Sequence, residues 1–139
     1  MDNRLRNVKE HIQKQRLDAI LVTSTANITY LTNYSGFSSI EKEAYILIAK
    51  THQYLLTDGR YIEAVSHIPH FIIIEISSVN SLEKILLDLK KKHAIKKLGI
   101  EENNLTVSEY KKFAKYYNMH QCNAIETLRA IKDFHEIKF

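Results

Sequence analysis

The stretch Thr57-Asp58-Gly59-Arg60-Tyr61 marks the point at which a strand gives way to a helix. It follows the apolar run Tyr54-Leu55-Leu56 and precedes Ile62-Glu63-Ala64-Val65, a run typical of a helix. Asp-Gly is a turn signal, because aspartate bonds nearby backbone N–H groups and glycine tolerates a positive φ. We therefore predict a strand–turn–helix unit with Arg60 and Tyr61 at its corner.

The segments next to this unit predict more of a sheet. The apolar run at 44–49 and the run at 53–57 are close enough in sequence to form a hairpin. On the other side, a helix over 60–67 is expected to stop before Pro69, since proline disfavours helix in the residue before it. The continuous apolar run at 71–76 then predicts a strand that is buried on both faces.

Farther out, helical and strand-like periods alternate along the chain. Asn80 with Glu83 and Thr106 with Glu109 have the spacing of capping boxes, which begin helices. The remaining helices are predicted at 2–16 and 26–32, the latter capped by Thr25, and from 123; the remaining strands are predicted at 19–22, 97–101 and 119–123. This order predicts an α/β fold, a three-layer mixed β-sheet with helices on both faces.

Composition limits the class of protein. A chain of 139 residues with 45% hydrophobic residues suits one domain with a real core. Its net charge of +4 is mild and does not indicate a nucleic-acid partner. Cys122 is the only cysteine, so we expect a reducing setting and a cytoplasmic protein. No apolar run approaches the roughly 20 residues that span a bilayer, so no membrane partner is expected.

Catalytic motifs are not found in the sequence. The seven histidines form no HExxH pair, and no serine sits in a GxSxG elbow. Glu101-Glu102 follows a predicted strand and could hold a metal, but two solvated acids are the favoured interpretation. We therefore predict no catalytic residue, no metal ligand and no cofactor within this chain.

Two other functions stay open at this point. Lys90-Lys91-Lys92-His93 with Lys96-Lys97 is a basic cluster that could bind a nucleic-acid backbone as a stand-alone module, although a solvated face is favoured. A nuclease would need clustered carboxylates, for which Asp18, Glu75 and Glu101 are the candidates.

Three ordered motifs resemble one known family, the N-terminal domain of the Xaa-Pro dipeptidases (prolidases), aminopeptidase P and creatinase. They are Asn27-x-x-Tyr30-Leu31-Thr32-x-Tyr34-Ser35-Gly36, Leu56-Thr57-Asp58-Gly59-Arg60-Tyr61-x-Glu63-Ala64 and Ile125-x-x-Leu128-Arg129-x-Ile131-Lys132-x-x-x-Glu136-Ile137. Asn33 stands where the family usually has glycine, and asparagine also tolerates left-handed geometry. The resemblance implies a ribonuclease H-like domain at 1–125 and, at 126–139, the start of a linker towards a metallopeptidase domain.

The resemblance also implies a function for the full-length protein. The family hydrolyses the bond before proline with two divalent metal ions, such as Mn or Co, held by two Asp, one His and two Glu of a catalytic domain. No residue here matches those ligands. The N-terminal domain is implied to help substrate selection and dimerisation, so its partners would be its own catalytic domain, a second copy and a proline-containing peptide.

By position in the motifs, the candidates for substrate binding or domain contact are Tyr34, Ser35, Phe37, Arg60 and Tyr61. Tyr34 and Phe37 lie in a polar segment, where exposed aromatic side chains favour binding. A purely local hydrogen-bond network is the alternative for Asp58 and Arg60. Asn27 is expected to fix the following turn.

Overall fold

The structure, a computed structural model, describes the backbone of residues 3–137 and the side chains of residues 3–130. The described strands are β1 Ala19–Val22, β2 Ala44–Ala49, β3 Gln53–Asp58, β4 Ile72–Ile76, β5 Lys97–Ile100 and β6 Asn118–Gln121. The described α-helices are α1 Asn3–Lys14, α2 Thr25–Thr32, α3 Ile62–Val65, α4 Leu82–His93, α5 Val107–Ala114 and α6 Ala124–Ile137. A short 3₁₀ helix, Glu102–Asn104, follows β5.

The strands form one mixed sheet in the order β4-β3-β2-β1-β5-β6. The predicted hairpin is confirmed, because β2 and β3 pair antiparallel with Ala44 opposite Thr57. β2 is also antiparallel to β1, whereas the other neighbouring strands are parallel. Strand β2 alone therefore runs against the rest, and the carboxyl ends of the other strands meet at one edge of the sheet. We call this the carboxyl edge.

Helices cover both faces of the sheet, as predicted. Leu5 of α1, Ile28 of α2 and Ile125 of α6 are buried in one apolar cluster with alternate side chains of the central strands. Ile85 of α4 and Phe113 of α5 are buried in a second cluster on the other face. The three-layer mixed α/β fold is therefore confirmed.

Strand β4 is not buried on both faces, which corrects the prediction made from its apolar run. Among the described strands it pairs with β3 alone, and it forms an edge of the sheet. Ile72 is 44% exposed. An apolar run gives the same signal in a central strand and in an edge strand, because strand order depends on pairing with distant segments.

The ends of α2 combine one correction and one confirmation. Ser24, and not the predicted Thr25, caps the helix, and its hydroxyl accepts a hydrogen bond from the Asn27 amide at 3.4 Å. The helix ends at Asn33, whose φ of 61° and ψ of 14° are left-handed. Asn33 therefore adopts the left-handed geometry that asparagine tolerates better than most residues.

Only one of the two predicted capping boxes forms. Thr106 and Glu109 exchange side-chain and backbone hydrogen bonds at the start of α5. At α4 the cap is Ser81, whose hydroxyl accepts from the Lys84 amide at 3.2 Å. Asn80 instead donates to the Glu75 carbonyl at 3.3 Å. Two polar residues that can cap stand side by side here, and the pattern of spacing selected the wrong one.

Candidate functional site

The turn after β3 is held by the aspartate, as its sequence predicts. Asp58 Oδ1 accepts hydrogen bonds from the Arg60 backbone N at 2.9 Å and from its Nε at 3.0 Å. Asp58 Oδ2 accepts a third from Arg60 Nη2 at 2.8 Å. This guanidinium holds the pKa of Asp58 below its usual range. The pair fixes the direction of Arg60, whose side chain stays 67% exposed.

Two details of this turn differ from the prediction. Gly59 does not adopt a positive φ. A Cβ there would lie 3.3 Å from Oε2 of the exposed Glu75 side chain, so a larger residue would need that side chain to shift by a few tenths of an ångström. The helix that follows is a single turn, Ile62–Val65, in place of the predicted 60–67. Arg60 and Tyr61 therefore belong to the turn and do not extend the helix.

Glu43, at the end of the segment between α2 and β2, binds to this turn. Its side chain is 6% exposed, and it accepts hydrogen bonds from the Tyr61 hydroxyl and the Ser38 amide, each at 2.5 Å. Arg60 Nη2 lies 3.6 Å from Glu43 Oε2. The hydrogen bond from Tyr61 lowers the pKa of Glu43 and raises that of Tyr61.

Three aromatic rings pack together beside these charges. The ring of Phe37 lies between those of Tyr34 and Tyr61, with a centroid distance of 4.9 Å to each. The ring of Tyr34 folds back over Gly36, where a Cβ would lie 2.2 Å from the tyrosine oxygen. Only glycine fits at that position in this arrangement.

Phe37 is only 6% exposed and belongs to the same buried cluster as α1 and α2. The expectation that it is an exposed aromatic side chain is therefore wrong. Tyr34 and Tyr61 are half-buried, and Ser35 and Arg60 are exposed. We call Tyr34, Ser35, Phe37, Arg60 and Tyr61 the aromatic corner. Four of its members contact one another in a row: the three rings pack side by side, and the Arg60 guanidinium lies 5.3 Å from the centroid of the Tyr61 ring.

A second polar site lies at the carboxyl edge, and no local pattern in the sequence predicts it. Glu101, which follows β5, is 4% exposed and not solvated as predicted. Its Oε1 accepts hydrogen bonds from the backbone N of Thr23 at 2.6 Å and of Ser24 at 2.8 Å. Its Oε2 accepts one from the Asn27 side-chain amide. Glu102, its neighbour, is exposed.

Asn27 connects this carboxylate to the last helix. It is fully buried, and its amide also donates to Glu126 Oε1 at 3.0 Å. Its Oδ1 accepts a hydrogen bond from Arg129 Nη1 at 2.8 Å. We call Glu101, Asn27, Glu126 and Arg129 the Asn27 network; Glu101 and Asn27 are buried, Arg129 is half-buried and Glu126 is exposed. Asn27 and Arg129 both belong to the family motifs, which are the signal for this network in the sequence, because no local pattern links positions about a hundred residues apart.

The three carboxylates considered for a nuclease are separated. Asp18 precedes β1 at the opposite edge, where it accepts from the Lys96 and Lys97 amides at 2.9 Å each. Glu101 follows β5, which is parallel to β1, so a strand length of roughly 13 Å lies between them. Glu75 lies in the edge strand β4. These residues do not form a catalytic cluster.

The other sequence candidates lie apart from both sites. The basic cluster from Lys90 to Lys97 spans the end of α4, the turn after it and the first residue of β5, and most of its lysines are exposed. Nucleic-acid binding by them stays a prediction.

Within the part of the chain that the structure describes, no three His, Cys, Asp or Glu side chains converge as metal ligands would. None of the helices formed by residues 3–137 has the length and apolar character that crossing a membrane requires.

The fold and the placement of the motifs define an α/β domain of the kind found in Xaa-Pro peptidases. The sequence model of the Creatinase/Prolidase N-terminal domain matches residues 4–131, and the chain belongs to this family. The predicted boundary between residues 125 and 126 falls within α6. The domain boundary stays a prediction.

Similar proteins are peptidases. The chain is 30% identical over 127 residues to the uncharacterized peptidase YqhT of Bacillus subtilis, and it spans about a third of that protein, 34%, and 88% of its own length. A structure of a Xaa-Pro aminopeptidase (aminopeptidase P) from Streptococcus thermophilus is 29% identical, with a TM-score of 0.76 over 91% of this chain and 95% of the other. The Xaa-Pro dipeptidase of Bacillus anthracis shares the fold, with a TM-score of 0.79, 23% identity and coverage of 91% and 35%.

Proposed function

We propose that this chain is the non-catalytic N-terminal domain of a Xaa-Pro dipeptidase or aminopeptidase. The full-length enzyme hydrolyses the peptide bond before proline, and this domain assists substrate selection and dimerisation. The observation that carries the proposal is the family match over 4–131, together with 29% identity to a Xaa-Pro aminopeptidase structure. The chain's span of about a third of YqhT supports a division of labour with a further domain.

The metal chemistry is assigned to that further domain. The described side chains of this chain bring no metal-ligand set together. We place two divalent ions, such as Mn or Co, in the C-terminal catalytic domain of the full-length enzyme, and we give no residue of this chain a role in holding them. A cytoplasmic location is part of the same proposal and is supported by a relative described as a cytoplasmic peptidase, PepQ of Mycobacterium tuberculosis, at 25% identity.

The aromatic corner is the surface proposed to contact the catalytic domain, a second copy or the peptide. Arg60 is the member best suited to this contact, because Asp58 orients its guanidinium while 67% of the side chain remains exposed. An arginine held in this way loses little conformational freedom on binding. Phe37 supports the surface from beneath, since it is buried between the two tyrosine rings.

An activity assay tests the division of labour. Purified 139-residue chain, supplied with Mn²⁺, is expected to release no proline from Xaa-Pro dipeptides and no N-terminal residue from Xaa-Pro-Xaa peptides. The full-length protein that carries this domain is expected to cleave one of the two classes. Metal-dependent cleavage by the 139-residue chain would contradict the non-catalytic assignment, and cleavage of neither class by the full-length protein would contradict the reaction.

A matched pair of variants tests the corner in the full-length protein. Arg60→Met is expected to lower kcat/KM for a proline peptide about tenfold, or to weaken the dimer by a similar factor, because one oriented charge is lost. Lys111→Met makes the same change of charge at another exposed position and is expected to change neither. Equal behaviour of both variants in steady-state kinetics and analytical ultracentrifugation would exclude a contact role for Arg60.

A further inference from the structure

A cleft beside α1 lies away from the aromatic corner. Arg6, Lys9, Glu10 and Gln13 on one side of α1, and Lys50 at the start of the β2–β3 turn, line a cavity of about 380 Å³. Lys50 follows β2, the one strand that runs against the others, so this end of the cleft is at the edge of the sheet opposite the carboxyl edge. Neither the family match nor the proposed function gives these residues a role.

Lys9 is the unusual member of this group. Its Nζ is buried and has no hydrogen-bond partner among the described residues. Gln53 Oε1 is the one other buried side-chain atom in this condition in the described part of the chain. Buried polar groups are nearly always hydrogen-bonded, because a lost bond to water must be replaced. A buried ammonium without a partner is more costly still, and this burial lowers the pKa of Lys9.

The surrounding charges favour a negatively charged partner. Arg6 and Lys50 add two positive charges to that of Lys9, against one negative charge from Glu10. Lys50 is only loosely engaged, since its Nζ lies 3.7 Å from Asp18 Oδ1 and its side chain is 67% exposed. Gln13 adds an amide group that can donate a hydrogen bond. The cleft therefore presents several donors and an excess of positive charge to whatever enters it.

We propose that this cleft binds a small anion whose phosphate or carboxylate group accepts a hydrogen bond from Lys9. Such a bond between an ammonium and an anionic oxygen is about twice as strong as a neutral one, and it removes the cost of the unpaired charge. The volume is at the lower end of the range for ligand pockets, which indicates a compound of metabolite size and not a polymer.

Thermal unfolding of the 139-residue chain tests the site with two probes, inorganic phosphate and succinate, against chloride at equal ionic strength. A ligand that binds only the folded state raises Tm with concentration. We expect one or both probes to raise Tm in the wild type and to shift the backbone amide NMR signals of Lys9 and Gln13 with the same saturation. A response to phosphate alone identifies a phosphate group as the ligand, and a response to succinate alone identifies a carboxylate.

Two variants of the same helix make the test specific. Lys9→Met is expected to weaken binding at least about tenfold, while Lys14→Met, which removes the same charge from an exposed position, retains it. Without anion, Lys9→Met is also expected to have a higher Tm than the wild type, since it removes a buried unpaired charge. No saturable response of the wild type to either probe, or equal responses of both variants, would overturn the proposal. These outcomes do not depend on peptidase activity and leave the proposed function unaffected.

Discussion

Two carboxylates at the carboxyl edge, Glu101 and Glu43, each accept several hydrogen bonds but serve different parts of the molecule. Glu101 is enclosed, and its donors come from the segment between β1 and α2 and from α2 itself. Through Asn27 it reaches Glu126 in α6. Glu43 instead joins the loop before β2 to the turn after β3, and its charged neighbour Arg60 faces solvent.

The two carboxylates differ in the groups that donate to them and in how far apart in the sequence the joined residues lie. Glu101 replaces water for two backbone N–H groups and for the Asn27 side-chain amide, which also donates to Glu126. Loss of Glu101 therefore removes the acceptor of the buried Thr23 N–H group. The partners of Glu43 include a tyrosine hydroxyl beside an exposed arginine. The first site therefore holds the fold together, and the second leaves charged and aromatic groups available to a neighbour.

The largest effect is expected from Glu101→Ala. It removes the acceptor of the buried Thr23 amide, of the half-buried Ser24 amide and of one N–H of the Asn27 side chain, which keeps its bond to Glu126. Unsatisfied donors cost about 1–3 kcal/mol each, so we expect a loss of about 4 kcal/mol in the free energy of unfolding. Urea unfolding followed by circular dichroism measures this loss. Glu102→Ala, at the exposed neighbouring position, is expected to stay within about 0.5 kcal/mol of the wild type. If the two variants are equally stable, the contrast between an enclosed and an open carboxylate fails.

A smaller loss is expected at the point where the corner meets the core. Phe37→Ala removes a ring that is 6% exposed and lies between Tyr34 and Tyr61, and such truncations cost about 3 kcal/mol. Phe37→Leu fills part of the same space and is expected to cost about half as much. The same urea experiment compares them. A loss near zero for both would show that Phe37 belongs with the exposed groups of the corner.

The same two regions show which structural features can be predicted from the sequence and which cannot. Strand–turn–helix order, the hairpin and the layers follow from local periods, and the Asp58 turn follows from the chemistry of one side chain. Burial of Glu101 does not, because it depends on β5 lying beside β1, a pairing of segments that are almost eighty residues apart. The burial of Phe37 is not predicted either, because a segment of mainly polar residues can still place one ring in the core.

The smallest effect concerns the hydrogen bond between Tyr61 and Glu43. This bond lowers the pKa of Glu43 below its usual value of about 4.3, so its contribution to stability is present above that pH and is lost as the pH falls through the lower, folded pKa. Tyr61→Phe removes the donor but leaves the Ser38 amide in place. We expect the pKa of Glu43 to rise towards its usual value, and the loss of stability on acidification to become shallower.

Carboxyl-carbon NMR titration of Glu43 measures this shift directly. Tyr110→Phe is the control, since Tyr110 lies exposed on α5 and its loss is expected to leave the pKa of Glu43 unchanged. An unchanged Glu43 in Tyr61→Phe would mean that the Ser38 amide and Arg60 hold the carboxylate without the tyrosine. In that case the corner would be organised by its charges alone, and Tyr61 would be released for contact with a neighbouring domain.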